Sequence, residues 1–177
     1  AHAVAAARGP TETDRFPPAR FVTVAIVLPI ATPRLRLRAL RLADAETVAA
    51  YRGDPVVAEY QDWPMPYDTT RLIERLTASE GRDPDIAAGT NLGIEVDGEL
   101  VGDVYVRLDN GIAEVGWTLA RDAQGHGFAT EAATALVAAL FTHHDTHRIE
   151  ASLHPENVAS ARVCEGIGML FEAHTRL

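Results

Sequence analysis

One stretch constrains this chain more than any other: Ala113 to Ala132, AEVGWTLARDAQGHGFATEA. Its first part alternates. Val115, Trp117 and Leu119 fall on one side and Glu114, Gly116 and Thr118 on the other, which is the period of a strand. The middle, 121–127, is polar and carries two glycines. From Phe128 the chain becomes alanine-rich, TEAATALVAALF, with high helix propensity. Strand, glycine loop and helix start therefore follow without a break. A helix start offers unpaired N–H groups and the positive end of a macrodipole, and glycine lets the backbone come close to a ligand. Together they make a site for an anion, most often a phosphate. Its residues are Gln124, Gly125, His126, Gly127, Phe128, Ala129 and Thr130, acting through backbone N–H groups.

Which phosphate ligand fits is narrowed by what the loop lacks. A nucleotide P-loop ends in Gly-Lys-Ser/Thr, and this chain has no lysine. A dinucleotide fingerprint needs a third glycine where Thr130 stands, and the loop comes mid-chain after strands that read as antiparallel. A dinucleotide-binding oxidoreductase would take Glu150, about 20 residues past the loop, as its ribose ligand.

The segment QGHGFA fits the Q/R-x-x-G-x-G/A pattern of the GNAT superfamily of acyl-CoA-dependent N-acetyltransferases. Its flanks resemble the branch that includes the ribosomal-protein N-terminal acetyltransferases, as do TPRLRLRAL near the start and NVASARVCEGIGM near the end. The resemblance runs from about Thr32 onward. It implies an α/β fold: a mixed, mostly antiparallel twisted sheet flanked by helices, with two splayed parallel strands forming a wedge for acyl-CoA. It implies acetyl-CoA as co-substrate, no metal, and a primary amine acceptor, either a protein N-terminus or a small molecule, attacking the thioester directly in a ternary complex.

Composition narrows the class further. A length of 177 residues with 47% hydrophobic content suits one domain with a full core. A net charge of -9 and no basic cluster interleaved with aromatics argue against nucleic acid. The single cysteine, Cys164, excludes an internal disulfide and points to a reducing, cytoplasmic setting.

Along the chain, Ala1 to Arg20 reads as a flexible leader without period. Phe21 to Ile30, FVTVAIVLPI, is too short to span a membrane and reads as an extra apolar strand, one that either extends the sheet or pairs with a second subunit in a homodimer. This divides the chain into an N-terminal extension, 1–31, and a GNAT-like domain, 32–177. Thr32 to Leu42 alternates as a strand. Asp44 caps a helix through Arg52, Val56 to Tyr60 adds a turn, and Asp68 caps a helix over Thr69 to Ser79. Between them DWPMPY, Asp62 to Tyr67, is an aromatic loop that the resemblance places on the acceptor side. Asp97-Gly98 joins two strands in a hairpin. A helix runs to about His143, a strand over His147 to His154 lies parallel to the one before the loop, and a short helix opens at Asn157 before a last strand over Met169 to Ala173.

Amine acetylation needs an acceptor that loses a proton, polarisation of the thioester carbonyl, and a proton for the leaving thiolate. Carbonyl polarisation is expected from a backbone N–H at Leu119 or Ala120, where a bulge would leave groups unpaired. The resemblance gives the base role to Glu114, the pantetheine contact to Asn157, whose position also suits a helix cap, and the acid role to Ser160. Cys164 stands where many relatives carry a tyrosine acid and is the other candidate donor. His143 and His147 are spaced i, i+4 but straddle a helix end without further ligands, so no metal is expected. The alternative to an enzyme is a catalytically degenerate GNAT fold, an acyl-CoA-binding or protein-interaction module.

Overall fold

The computed structural model describes residues 2–8 and 25–175. The strands are β1 (His2–Arg8), β2 (Ile30–Ala31), β3 (Arg36–Ala39), β4 (Thr90–Val96), β5 (Glu99–Asp109), β6 (Ile112–Leu119), β7 (Arg148–Leu153) and β8 (Leu170–Thr175). The helices are α1 (Ala45–Arg52), α2 (Pro55–Ala58), α3 (Thr69–Ser79), α4 (Phe128–His143) and α5 (Val158–Gly166). All eight strands form one sheet in the order β2-β3-β4-β5-β6-β7-β1-β8. Every neighbouring pair is antiparallel except β6 and β7.

Two hairpins produce the meander that delivers the chain to the glycine loop. Asp97-Gly98 between β4 and β5 has φ of 50° and 87°, and Asn110-Gly111 between β5 and β6 has 49° and 77°. Positive φ at both central residues matches the turn to the right-handed twist of the strands. Alternation then sorts the side chains onto two faces. Leu37, Leu92, Ile94, Val104, Val106, Ala113, Val115 and Ile149 pack with Ala132, Leu136 and Leu140 of α4 and with Cys164 of α5 into one core. Each large aliphatic side chain buried there contributes about 1.5–3 kcal/mol. The opposite face is covered by α1 and α3, whose Val48, Tyr51, Leu72 and Leu76 make a second, smaller cluster.

Asp68 caps α3 as expected, accepting from the N–H groups of Thr70 and Arg71. Asp44 also stands before its helix, but its carboxylate accepts from Arg38 at 2.7 and 2.9 Å and from the Arg41 N–H at 2.7 Å rather than from helical N–H groups. A charged donor beneath the sheet outcompetes the cap. Arg38 also reaches Glu95 at 2.6 Å, so one buried guanidinium ties β3, β4 and the start of α1 together.

The N-terminal reading is corrected in two places. His2–Arg8 is not part of a flexible leader: it is a strand paired on both sides, with β7 and with β8. Its Ala3, Ala5 and Ala6 are buried. Small side chains carry no period, so an alanine run shows no strand signal until partners supply the ladder. The expected strand over Phe21 to Ile30 is also not continuous. Phe21 to Val24 lie outside the described residues. Ala25 makes a single bridge with Asp85, and of the rest only Ile30 enters a strand, pairing with Leu37. The expected strand over Thr32 to Leu42 contracts to Arg36–Ala39, because Thr32 and Arg34 are drawn to α4 and Leu42 enters a helical turn.

Candidate active site

The parallel strands β6 and β7 are paired only over Ile112–Arg148, Ala113–Ile149 and Glu114–Glu150. Beyond that point each stays bonded to its outer neighbour, β6 to β5 as far as Leu119 and β7 to β1 as far as Leu153. The two strands therefore part. The gap is a cleft of about 80 Å³ lined by Tyr60, Gln61, Val115, Gly116, Trp117, Ala151, Ser152, Leu153, Asn157 and Ser160.

The expected bulge on β6 is absent, which corrects the account of Leu119 and Ala120. The register from Ile112 to Leu119 against β5 is unbroken, and the Ala120 N–H donates to the Val101 carbonyl at 2.9 Å. Inward-facing donors arise by a simpler route. In an antiparallel ladder successive residues turn their N–H groups to opposite sides. With Ala120 facing β5, the N–H groups of Leu119, Trp117 and Val115 face the gap from which β7 has parted. The Leu119 carbonyl accepts from Gln124 Nε2 at 3.3 Å, fastening the glycine loop to the end of the strand.

In that loop Gly125 and Gly127 have φ of 79° and 78°. Gly127 is the N-cap of α4 and provides no side-chain cap, so the first turn keeps its N–H groups for another partner. Gly125, His126 and Gly127 are exposed, while Ala129 is already in the core. The loop is braced from β3's approach. Arg34 Nη1 donates to the His126 carbonyl at 2.9 Å, its Nε meets Glu131 at 2.6 Å, and its guanidinium lies 5.1 Å from the centre of the Phe128 ring. His126 stacks on the same Phe128 ring at a centroid distance of 5.6 Å. Thr32 Oγ1 donates to Glu131 at 2.5 Å, and this bond, with Arg34, holds the Glu131 carboxyl below the usual carboxylate range. Arg34 and Thr32 were not singled out by sequence. Their signal was the TPRL segment, legible only as family resemblance.

On the far wall, Asn157 Oδ1 accepts the Ser160 N–H at 3.0 Å and caps α5. That bond uses the carbonyl oxygen and leaves the amide NH₂ to donate to a ligand acceptor. Trp117 Nε1 donates to Ser160 Oγ at 3.3 Å across the cleft. The Ser160 hydroxyl thus has an acceptor lone pair occupied and its own proton available to donate. Tyr60, which lines the cleft, stacks on His154, just past β7, at 5.2 Å.

The other sequence candidates lie elsewhere. Glu114 is at the closed end of the wedge, 48% exposed in its side chain, and paired with Arg107 at 3.6 Å. It is three residues, about 10 Å, from Trp117 and on the opposite face of the strand. Cys164 is one turn beyond Ser160 but 4% exposed within the core, where burial pushes its thiol up to about 11. Glu150 is engaged by Arg148 at 2.5 Å on β7, with no relation to the loop.

Comparison with known proteins agrees with this fold. Residues 34–170 match the family described as the Acetyltransferase (GNAT) domain. An uncharacterized N-acetyltransferase, p20 of Bacillus licheniformis, is 31% identical over 154 residues, covering 82% of this chain and 84% of that protein. The crystal structure of a GNAT-family acetyltransferase from Bacillus anthracis is similar with a TM-score of 0.70 and 29% identity, over 82% of this chain and 86% of that one. A ribosomal L7/L12 alpha-N-protein acetyltransferase, RimL, in complex with coenzyme A, shares the fold at a TM-score of 0.66 and 17% identity, over 77% of this chain and 80% of that one.

Proposed function

Since this chain belongs to the GNAT acetyltransferase family and is an N-acetyltransferase, we propose that it transfers an acetyl group from acetyl-CoA to a primary amine by direct attack in a ternary complex. The acceptor amine is at a protein N-terminus or on a small molecule. The observation that carries this reading is the parting of β6 from β7 beyond Glu114–Glu150, with the glycine loop at the end of one strand and Ser160 across the gap.

The residues fit acetyl-CoA on their own geometry. The first turn of α4 and the loop Gly125–Gly127 supply N–H groups for its phosphates. The gap presents backbone N–H groups of Val115, Trp117 and Leu119 to an extended arm, and the Asn157 amide adds a donor. Bound there, acetyl-CoA supplies an activated thioester.

Two of the three chemical requirements are then met by this chain. An N–H of β6 facing the gap holds the carbonyl oxygen as negative charge develops on it. The Ser160 hydroxyl, oriented by Trp117, gives its proton to the leaving thiolate. We assign no proton transfer to Glu114: its distance and its pairing with Arg107 leave the amine to lose its proton to water at the open mouth. Cys164 is assigned to packing.

Calorimetric titration with acetyl-CoA, followed by CoA release in the presence of primary amines, tests the proposal. Binding at 1:1 with amine-dependent release supports it. A folded protein that does not bind acetyl-CoA would move the fold to an interaction module.

A further inference from the structure

We infer that Asp103 is a positioning residue for the acceptor side of the cleft, acting through Arg52 on the aromatic loop that follows Tyr60. The inference rests on the acetyl-transfer reading.

Asp103 lies on β5, on the face covered by α1 and α3, and is 1% exposed. Its carboxylate accepts from Arg52 Nη2 on both oxygens, at 2.8 and 2.9 Å, from the Tyr51 hydroxyl, and from Asn91 Nδ2 at 2.7 Å. A carboxylate this deep is costly unless every lone pair is engaged, and apolar side chains of similar volume would hold the layer together as well. What the carboxylate adds is direction: it fixes where one guanidinium points.

Arg52 spends that direction on the loop. Its guanidinium sits 4.9 Å from the Trp63 ring centre and 5.8 Å from that of Tyr67. Its backbone carbonyl accepts from Trp63 Nε1 at 3.2 Å. One residue thus holds Trp63 twice, by its face and by its edge. Arg52 Nε is buried with no hydrogen-bond partner among the described residues, so the guanidinium's place is set by the carboxylate and the two rings rather than by the fullest bonding of its own donors.

Trp63 is two residues from Gln61 and three from Tyr60, which line the cleft together with Trp117 and Ser160. Tyr60 in turn rests on His154 beyond β7. The line from Asp103 to Arg52 to Trp63 therefore holds the segment that directly follows two of the side chains lining the cleft. Asp103, Arg52 and Trp63 are not themselves part of the cleft lining, which includes Asn157 and Ser160.

The experiment uses the whole chain, with an alanine tetrapeptide and benzylamine as acceptors. D103N and R52K are compared with the parent. R52K keeps the charge but loses the planar stack, so it reports if D103N fails to fold. The expected result is a rise of about tenfold in KM for the acceptor with KM for acetyl-CoA changed by no more than about twofold. In parallel, W117F leaves Trp63 as the sole tryptophan, and acrylamide quenching of Trp63 should rise about twofold when D103N or R52K is added. Variants that lower Tm but leave both acceptor KM and Trp63 quenching unchanged would overturn the inference. If the parent releases no CoA with either amine, the acetyl-transfer reading is what fails, and Trp63 quenching still decides whether Asp103 holds the loop.

Discussion

The Trp117 indole and the Ser160 hydroxyl meet across the parted strands at 3.3 Å, with the N–H donating and the oxygen accepting. Trp117 comes from β6 and Ser160 from α5, 43 residues apart. The bond leaves the Ser160 proton free for a leaving group. S160A should therefore lower kcat by about 100-fold, the usual worth of a positioned proton donor, with little change in KM for acetyl-CoA. W117F should cost about 3–10-fold through loss of orientation alone. Steady-state kinetics decide this. A weaker acetyl-CoA affinity at unchanged kcat would remove Ser160 from the chemistry.

Glu114 makes the opposite prediction. Its carboxylate is half exposed, paired with Arg107 and turned to the other face of β6. E114Q should keep kcat within about threefold of the parent and leave the pH–rate profile in place. A hundredfold loss, or a shifted acidic limb, would restore the base role.

The glycine loop is tested at Gly127, whose φ of 78° suits glycine. Alanine there costs about 1–2 kcal/mol of backbone strain, and its Cβ would meet Arg34 Nη2 at 3.4 Å. G127A should lower Tm by a few degrees and weaken acetyl-CoA binding about tenfold by calorimetry. Unchanged binding would take the phosphate site away from this loop.

Acid stability follows from Asp44. Burial alone would raise its pKa, but Arg38 and the Arg41 N–H outweigh it, and the carboxyl is held below its ordinary value. A depressed folded pKa gives stability that is present above the unfolded value, near 4, and is lost as pH falls through the folded value. D44N should cost about 3 kcal/mol at neutral pH and flatten the pH dependence of urea unfolding below about pH 4. An unaltered acid limb would show that other carboxylates carry it.

A fifth test concerns β1. Ala5 is buried in a strand bonded to β7 on one side and β8 on the other. A proline there removes a ladder donor in mid-sheet, so A5P should lower stability by about 3 kcal/mol. Because β7 forms one wall of the cleft, acetyl-CoA binding should weaken as well. A variant with parental Tm would return His2–Arg8 to the status of a leader.

Local patterning determined much of this protein. The period of Ile112–Leu119, the glycines at 125 and 127, the helix-forming run after Phe128, the Asp68 cap and the Asp97-Gly98 turn are each written in adjacent residues, because period, propensity and φ preference act over a few positions. The strand–loop–helix unit and the meander before it could be read from them, and with them the family. Only the tertiary structure decided what depends on partners far away in the chain. An alanine-rich strand at residues 2–8 has no pattern of its own and exists because β7 and β8 offer it two ladders. The inward N–H groups of β6 come from the departure of β7 rather than from a bulge. Glu114 and Ser160 look equally eligible as chemistry until the pleat turns one toward Arg107 and the other toward Trp117. Asp103 carries no motif at all. Its reach through Arg52 to Trp63 is a matter of burial and packing between a strand, a helix and a loop, which no local period records.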